Sequence, residues 1–142
     1  VYGELIKNAT IFPGFKEFMI CCNANPTIEV YIISHKTQVG HFSEKNVNLR
    51  EVAREWLQNQ GFFAGGNPYI LKENIFFEET RNDKIKRIKN LNCTHFIDDL
   101  IEVFDSTLFP SHIKRYLFQG KSSHSIRSFA NWTEIKNAFF IE

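Results

Sequence analysis

Asp98 and Asp99 stand side by side at the end of the run Thr94-His95-Phe96-Ile97. A β-type apolar stretch leads into them, and a fresh apolar segment (Leu100, Ile101, Val103, Phe104) leaves them. In an open α/β sheet, ligands bind just beyond the carboxyl ends of the strands. Two adjacent carboxylates repel there, and a bound cation relieves them. A plainer reading is an Asp pair capping the next helix, since Asp is favoured at N-caps. Ser34 follows another β-type run, and Lys84 opens the helical segment that leads to the Asp pair. Together these groups suit phosphoryl binding. A hydroxyl meets a phosphate oxygen, an ammonium meets the charge, and carboxylates hold magnesium. Ser34 as a turn former and Lys84 as a solvated lysine are the plainer alternatives. A cation at a helix start opposes the macrodipole, which is a weak sign of a bound anion.

These residues need elements to position them. Pro13-Gly14 opens a helix with Phe15, Phe18, Met19 and Cys22 on one face, the i, i+3, i+4, i+7 pattern. Asn23 to Pro26 stops it. Glu29-Val30-Tyr31-Ile32-Ile33 reads as a strand, with Ser34-His35-Lys36-Thr37 just past its end. Leu49, Val52, Ala53, Trp56 and Leu57 make the next helix, closed by Gly61. Gly65 to Pro68 is a turn, and a weak strand lies within 69–77. Asn82 or Asp83 is positioned to cap a helix that buries Ile85, Ile88 and Leu91. The strand into Asp98 follows, then Arg115–Phe118 as a strand closed by Gly120. A polar loop over 122–127 leads to a last helix with Trp132, Ile135 and Phe139. Strands alternating with helices predict a mainly parallel sheet with helices on both faces, a three-layer Rossmann-like fold. On one sheet edge, Ser34, Lys84 and the Asp pair would share a crevice. Residues two apart on a helix lie about 200° round the axis. Only one of Lys84 and Lys86 therefore faces that crevice, and Lys84 is nearer the strand edge.

The chain has 142 residues, 43% of them hydrophobic, which fits one domain over 1–142 with a real core. A net charge of +1 gives no strong pull toward polyanions, so no nucleic-acid partner is expected. The basic stretch Arg81 to Lys89 has helical spacing and reads as a solvated face. Cys21, Cys22 and Cys93 have no zinc spacing, and reduced thiols in a cytoplasmic protein are the simplest account. No apolar run is long enough for a bilayer, so no membrane partner is expected.

The order strand-Ser, helix-start Lys, strand-Asp-Asp resembles that of the haloacid dehalogenase (HAD) superfamily of phosphatases. Ile32-Ile33-Ser34 looks like the family's second motif, Asn82-Asp83-Lys84 its third, and Phe96-Ile97-Asp98-Asp99 its fourth. Ile11-Phe12-Pro13-Gly14-Phe15 resembles the usual entry into the helix before the Ser strand. The resemblance implies a magnesium-dependent phosphohydrolase acting on a small phosphorylated metabolite through an aspartyl phosphate. It implies Ser34 and Lys84 as catalytic groups, Asp98 and Asp99 as Mg2+ ligands, and His35, Lys36 and Thr37 near the substrate.

One departure is plain. The family's nucleophile is the first Asp of a DxD on the first strand. The Asp residues here are Asp83, Asp98, Asp99 and Asp105, and no DxD occurs. The expectation is that this strand lies upstream of Val1. The alternative is a catalytically inactive HAD-like binding or scaffolding domain. A response-regulator receiver domain also uses an Asp pair, a Ser/Thr and a Lys. Its Asp pair follows the first strand and its Lys the last, the reverse of the order here.

Overall fold

The computed structural model describes residues 13–35, 49–59, 61, 70–121 and 126–141. The first helix, α1 (Phe15–Asn23), follows the Pro13-Gly14 turn, and Phe18 N–H donates to the Gly14 carbonyl at 3.0 Å. Gly14 has φ 88°, and a Cβ there would lie 3.2 Å from Trp132 Cβ. The left-handed backbone favours glycine, and the close approach leaves little room for a Cβ. The chain divides into two compact units. Among the described residues, one runs from Met19 to Thr80, and the other takes 13–18 and Arg81 onward.

The first unit holds β1 (Ile32–His35), α2 (Leu49–Asn59) and β2 (Ile75–Glu78). β1 and β2 pair in parallel, from Ile32 opposite Ile75 to His35 opposite Glu78. A 3-10 turn at Lys72–Asn74 feeds β2, and Asn74 Nδ2 donates to the Val30 carbonyl at 3.2 Å. Arg54 on α2 stacks over the Phe77 ring, 5.1 Å from its centre. Met19, Cys22, Ile33, Leu57, Ile70 and Ile75 are buried. The strand expected over 29–33 is shifted to Ile32–His35. Its limits are set by the partner Ile75–Glu78, not by the local apolar run. Ser34 and His35 therefore belong to the strand and do not follow it.

The second unit holds α3 (Arg81–Asn90), β3 (His95–Asp98), α4 (Ile101–Asp105), β4 (Lys114–Phe118), β5 (Ser128–Phe129) and α5 (Trp132–Phe140). Its strand order is β3-β4-β5, parallel throughout. His95 lies opposite Lys114 and Asp98 opposite Leu117. α3 begins at Arg81, so Asn82 and Asp83 sit inside its first turn and do not cap it. Ile85 and Ile88 are buried, at 1% and 0% exposure. Leu91 lies just past the helix end and is half-buried. α5 has a capping box. Asn131 Oδ1 accepts from Glu134 N–H at 2.9 Å, and Glu134 Oε2 accepts from Ala130 N–H at 2.7 Å. Aromatic rings pack against one another, with Phe104, Phe109, Tyr116 and Phe129 buried. His95 meets Phe139 edge-on at 4.7 Å, Tyr116 meets Phe129 at 5.4 Å, and Phe104 meets Phe109 at 5.3 Å.

The chain is thus α/β, and every strand pairing among the described residues is parallel. Cys21, Cys22 and Cys93 are free thiols. Among the described residues, no helix is long and apolar enough to cross a membrane.

Candidate functional site

The amphipathic face of α3 carries Lys84 inward beside Ile85 and Ile88. Lys84 is only 8% exposed, whereas Lys86 is exposed. A lysine that deep needs a partner. Its Nζ donates to Asp98 Oδ2 at 2.6 Å and lies 5.6 Å from the centre of the Phe96 ring. Asp98 is the last residue of β3 and is also 8% exposed. Its other oxygen, Oδ1, accepts from Leu100 N–H at 2.9 Å. That bond turns the chain sharply out of the strand. Neither Asp caps α4, because Leu100 holds the N-cap position without a side-chain hydrogen bond.

Asp99 stands just beyond the strand and is exposed. Partial loss of water pushes its carboxyl above the usual range, and the adjacent Asp98 carboxylate adds to this. Lys84 acts in the opposite direction, with a smaller effect.

A cleft of about 470 Å³ opens at this carboxyl edge of the sheet. Lys84, Ile97, Asp98 and Asp99 line one part of it, and Phe118, Gln119 and Trp132 line the rest. The position is the one where ligands bind in parallel α/β sheets. Gln119, Phe118 and Trp132 were not legible as site residues. Trp132 and the phenylalanines read as core, and Trp132 does lie 4.7 Å from Phe15 and 5.2 Å from Phe118. The available signal for Gln119 was Gly120, which marks the turn after β4.

Ser34 is the third residue of β1 in the first unit and is half-buried. His35 ends the same strand, and its Nε2 donates to the Glu79 carbonyl at 2.6 Å. Lys36 and Thr37 lie outside the described residues.

Among the described residues, no group of three or more His, Cys, Asp or Glu is placed to hold a metal. Asp98 and Asp99 alone still fit a hard cation of the magnesium type. Such an ion keeps several waters and takes one or two protein carboxylates. Each Asp98 oxygen accepts one hydrogen bond and keeps a second lone pair.

No protein-family model, no curated protein and no solved structure matches this chain.

Proposed function

We propose that this chain forms part of a HAD-like, magnesium-dependent phosphohydrolase for a small phosphorylated metabolite, with its nucleophilic Asp on a strand upstream of Val1. The observation that carries the proposal is the buried Lys84–Asp98 pair, 2.6 Å apart, at the carboxyl edge of a parallel sheet and lining a cleft. Burying an ammonium and a carboxylate is costly, and an apolar pair of equal volume is often at least as stable. Charges held at a ligand-binding edge are therefore better explained by chemistry than by stability.

Further support comes from the sheet. Among the described residues, β3 is hydrogen-bonded on one side, to β4, and its other edge has no strand. Phe96 and Ile97 are only half-buried, although strands of parallel sheets usually read as buried on both faces.

In this reading an upstream carboxylate oxygen attacks phosphorus in line. The new O–P bond forms as the ester P–O bond breaks, and the alcohol leaves with a proton from the second Asp of the DxD, the general acid that the resemblance implies. Water then attacks the aspartyl phosphate and releases inorganic phosphate. Lys84 Nζ has three N–H bonds, one given to Asp98. The other two serve the attacking carboxylate and an equatorial phosphate oxygen. Asp98 orients Lys84 and, with Asp99, would hold Mg2+, which supplies charge neutralisation at the phosphate. The resemblance gives Ser34 a hydrogen bond to another phosphate oxygen.

The test is magnesium-dependent hydrolysis of p-nitrophenyl phosphate by the 142-residue chain and by the protein with its upstream residues included. The proposal expects activity from the longer protein alone. A longer protein that carries DxD but hydrolyses no ester of a broad panel would favour the inactive binding domain. Robust activity from the 142-residue chain would overturn the motif assignment.

A further inference from the structure

Gln119 directly follows β4, and its φ is 57°. That is the left-handed region, which side chains with a Cβ rarely occupy. Glycine is the usual solution for such backbone, yet here glycine is the next residue, Gly120. Two hydrogen bonds hold Gln119 in place. Its backbone N–H donates to the Phe129 carbonyl at 2.7 Å, and its Nε2 donates to the Ala130 carbonyl at 3.2 Å. A carbonyl only accepts, so the amide nitrogen must face Ala130. What Gln119 has left to offer is Oε1, a neutral acceptor, and the second N–H of Nε2, the pairing that a hydroxyl can both give to and take from.

The side chain lines the same cleft as Lys84 and Asp98. Phe118 and Trp132 line it too, their rings 5.2 Å apart and tilted by 33°. Phosphoryl transfer has no use for the two rings or for Oε1. A carbonyl oxygen repels a phosphate dianion, and aromatic carbon offers it nothing. A hydroxylated carbon skeleton suits them, since it has C–H surface for the rings and O–H donors for Oε1. Strained backbone that keeps a polar side chain in a cleft is a reasonable marker of function.

Resting on the phosphohydrolase reading, we infer that Gln119 is a specificity-determining residue. It accepts a hydrogen bond from a hydroxyl on the organic part of the substrate, which lies against Phe118 and Trp132. The substrate class is a hydroxyl-bearing organic phosphate of the polyol or sugar type.

The test uses the protein with its upstream residues and two esters, glucose 6-phosphate and cyclohexylmethyl phosphate. The second has a ring of the same size without hydroxyls. Gln119→Leu removes the acceptor and keeps the bulk. Gln119→Gly removes the whole side chain while suiting the left-handed backbone. Wild type should prefer glucose 6-phosphate. Both variants should lose roughly tenfold to a hundredfold in kcat/KM on it, as expected for one lost hydrogen bond in a selective site. On cyclohexylmethyl phosphate they should stay within about threefold, as for a substitution that touches nothing the ester needs. Equal losses on both esters, or no loss on either, would overturn the inference. Should wild type hydrolyse neither ester, the broad panel decides the phosphohydrolase reading on its own. Titration of Trp132 fluorescence with each ester, in a Trp56→Phe background, then decides Gln119. Weaker binding of glucose 6-phosphate alone in Gln119→Gly upholds the inference, and unchanged or absent binding overturns it.

Discussion

Removing one partner of the Lys84–Asp98 pair should be far more damaging than removing both. The two side chains are 10% and 5% exposed, and their N···O distance is 2.6 Å. At an effective dielectric of about 20, the gross attraction at that distance is about 6 kcal/mol, most of it offset by lost hydration. Lys84→Met keeps the apolar stem but strands the Asp98 carboxylate, with Leu100 N–H as its remaining donor. Asp98→Asn keeps an acceptor for Leu100 N–H but strands the ammonium. Each single change should destabilise the second unit by about 3–5 kcal/mol, the usual cost of leaving one buried charge uncompensated. Lys84→Met/Asp98→Asn strands neither charge and should cost less than either single change. The coupling energy should be at least about 2 kcal/mol, as for directly bonded groups. Urea unfolding followed through Trp132 fluorescence in a Trp56→Phe background measures it. Circular dichroism on the same samples checks that the transition is cooperative. Single changes that cost nothing, or a double change equal to the sum of the singles, would refute a buried, tightly coupled pair.

Three further outcomes rest on separate features. Desolvation, and then Lys114, lower the pKa of His95 below its ordinary 6.5. The unfolded chain therefore binds the proton more readily, and stability should fall as pH drops through about 6.5 and below. His95→Phe, which keeps the contact with Phe139, should flatten that part of a Tm-versus-pH curve. Burial pushes the Cys22 thiol up to about 11, with a smaller contribution from Cys21. At pH 8 about one Cys22 in a thousand is then thiolate, so a thiol-reactive dye should label it only on unfolding. A Cβ on Gly120 would lie 2.6 Å from Leu117 Cγ, in a fully buried side chain. Gly120→Ala should cost about 1–3 kcal/mol by overpacking, whereas Gly61→Ala, with φ 81° and open space, should cost about 1 kcal/mol. Thermal unfolding of both variants compares them.

Sequence pattern reached the second unit better than the first. The spacing of Ile85 and Ile88 shows the buried face of α3, and that face necessarily carries Lys84 inward. The β-type run into Asp98 gives β3 nearly to the residue, because the chain turns where Asp98 Oδ1 takes Leu100 N–H. β1 was legible as a strand but not in its limits. Tyr31 favours a strand as Ile33 does, and only pairing with β2 decides which residues join the ladder. β5 has two residues, Ser128 and Phe129, and no alternation to detect. It exists because Leu117 N–H reaches the Arg127 carbonyl and Gln119 N–H the Phe129 carbonyl, long-range bonds that no local pattern encodes. Gln119 was invisible for a related reason. A left-handed glutamine runs against propensity, and only the Phe129 and Ala130 carbonyls hold it there.

The most direct test of the account compares Lys84→Ala with Lys86→Ala in the protein with its upstream residues, assayed at saturating magnesium on a turned-over phosphate ester. Lys84 is buried against Asp98 at the cleft, and Lys86 is exposed. Lys84→Ala should lower the chemical step by on the order of a hundredfold or more, as for loss of one preorganised charge-stabilising group. A charge-conserving Lys84→Arg should recover little, because the longer, planar guanidinium does not fit the space that holds Nζ 2.6 Å from Asp98. Lys86→Ala should stay near wild type. A reversed ranking, or two near-neutral results in folded protein, would contradict the central claim that Lys84 and Asp98 form a phosphoryl-transfer site.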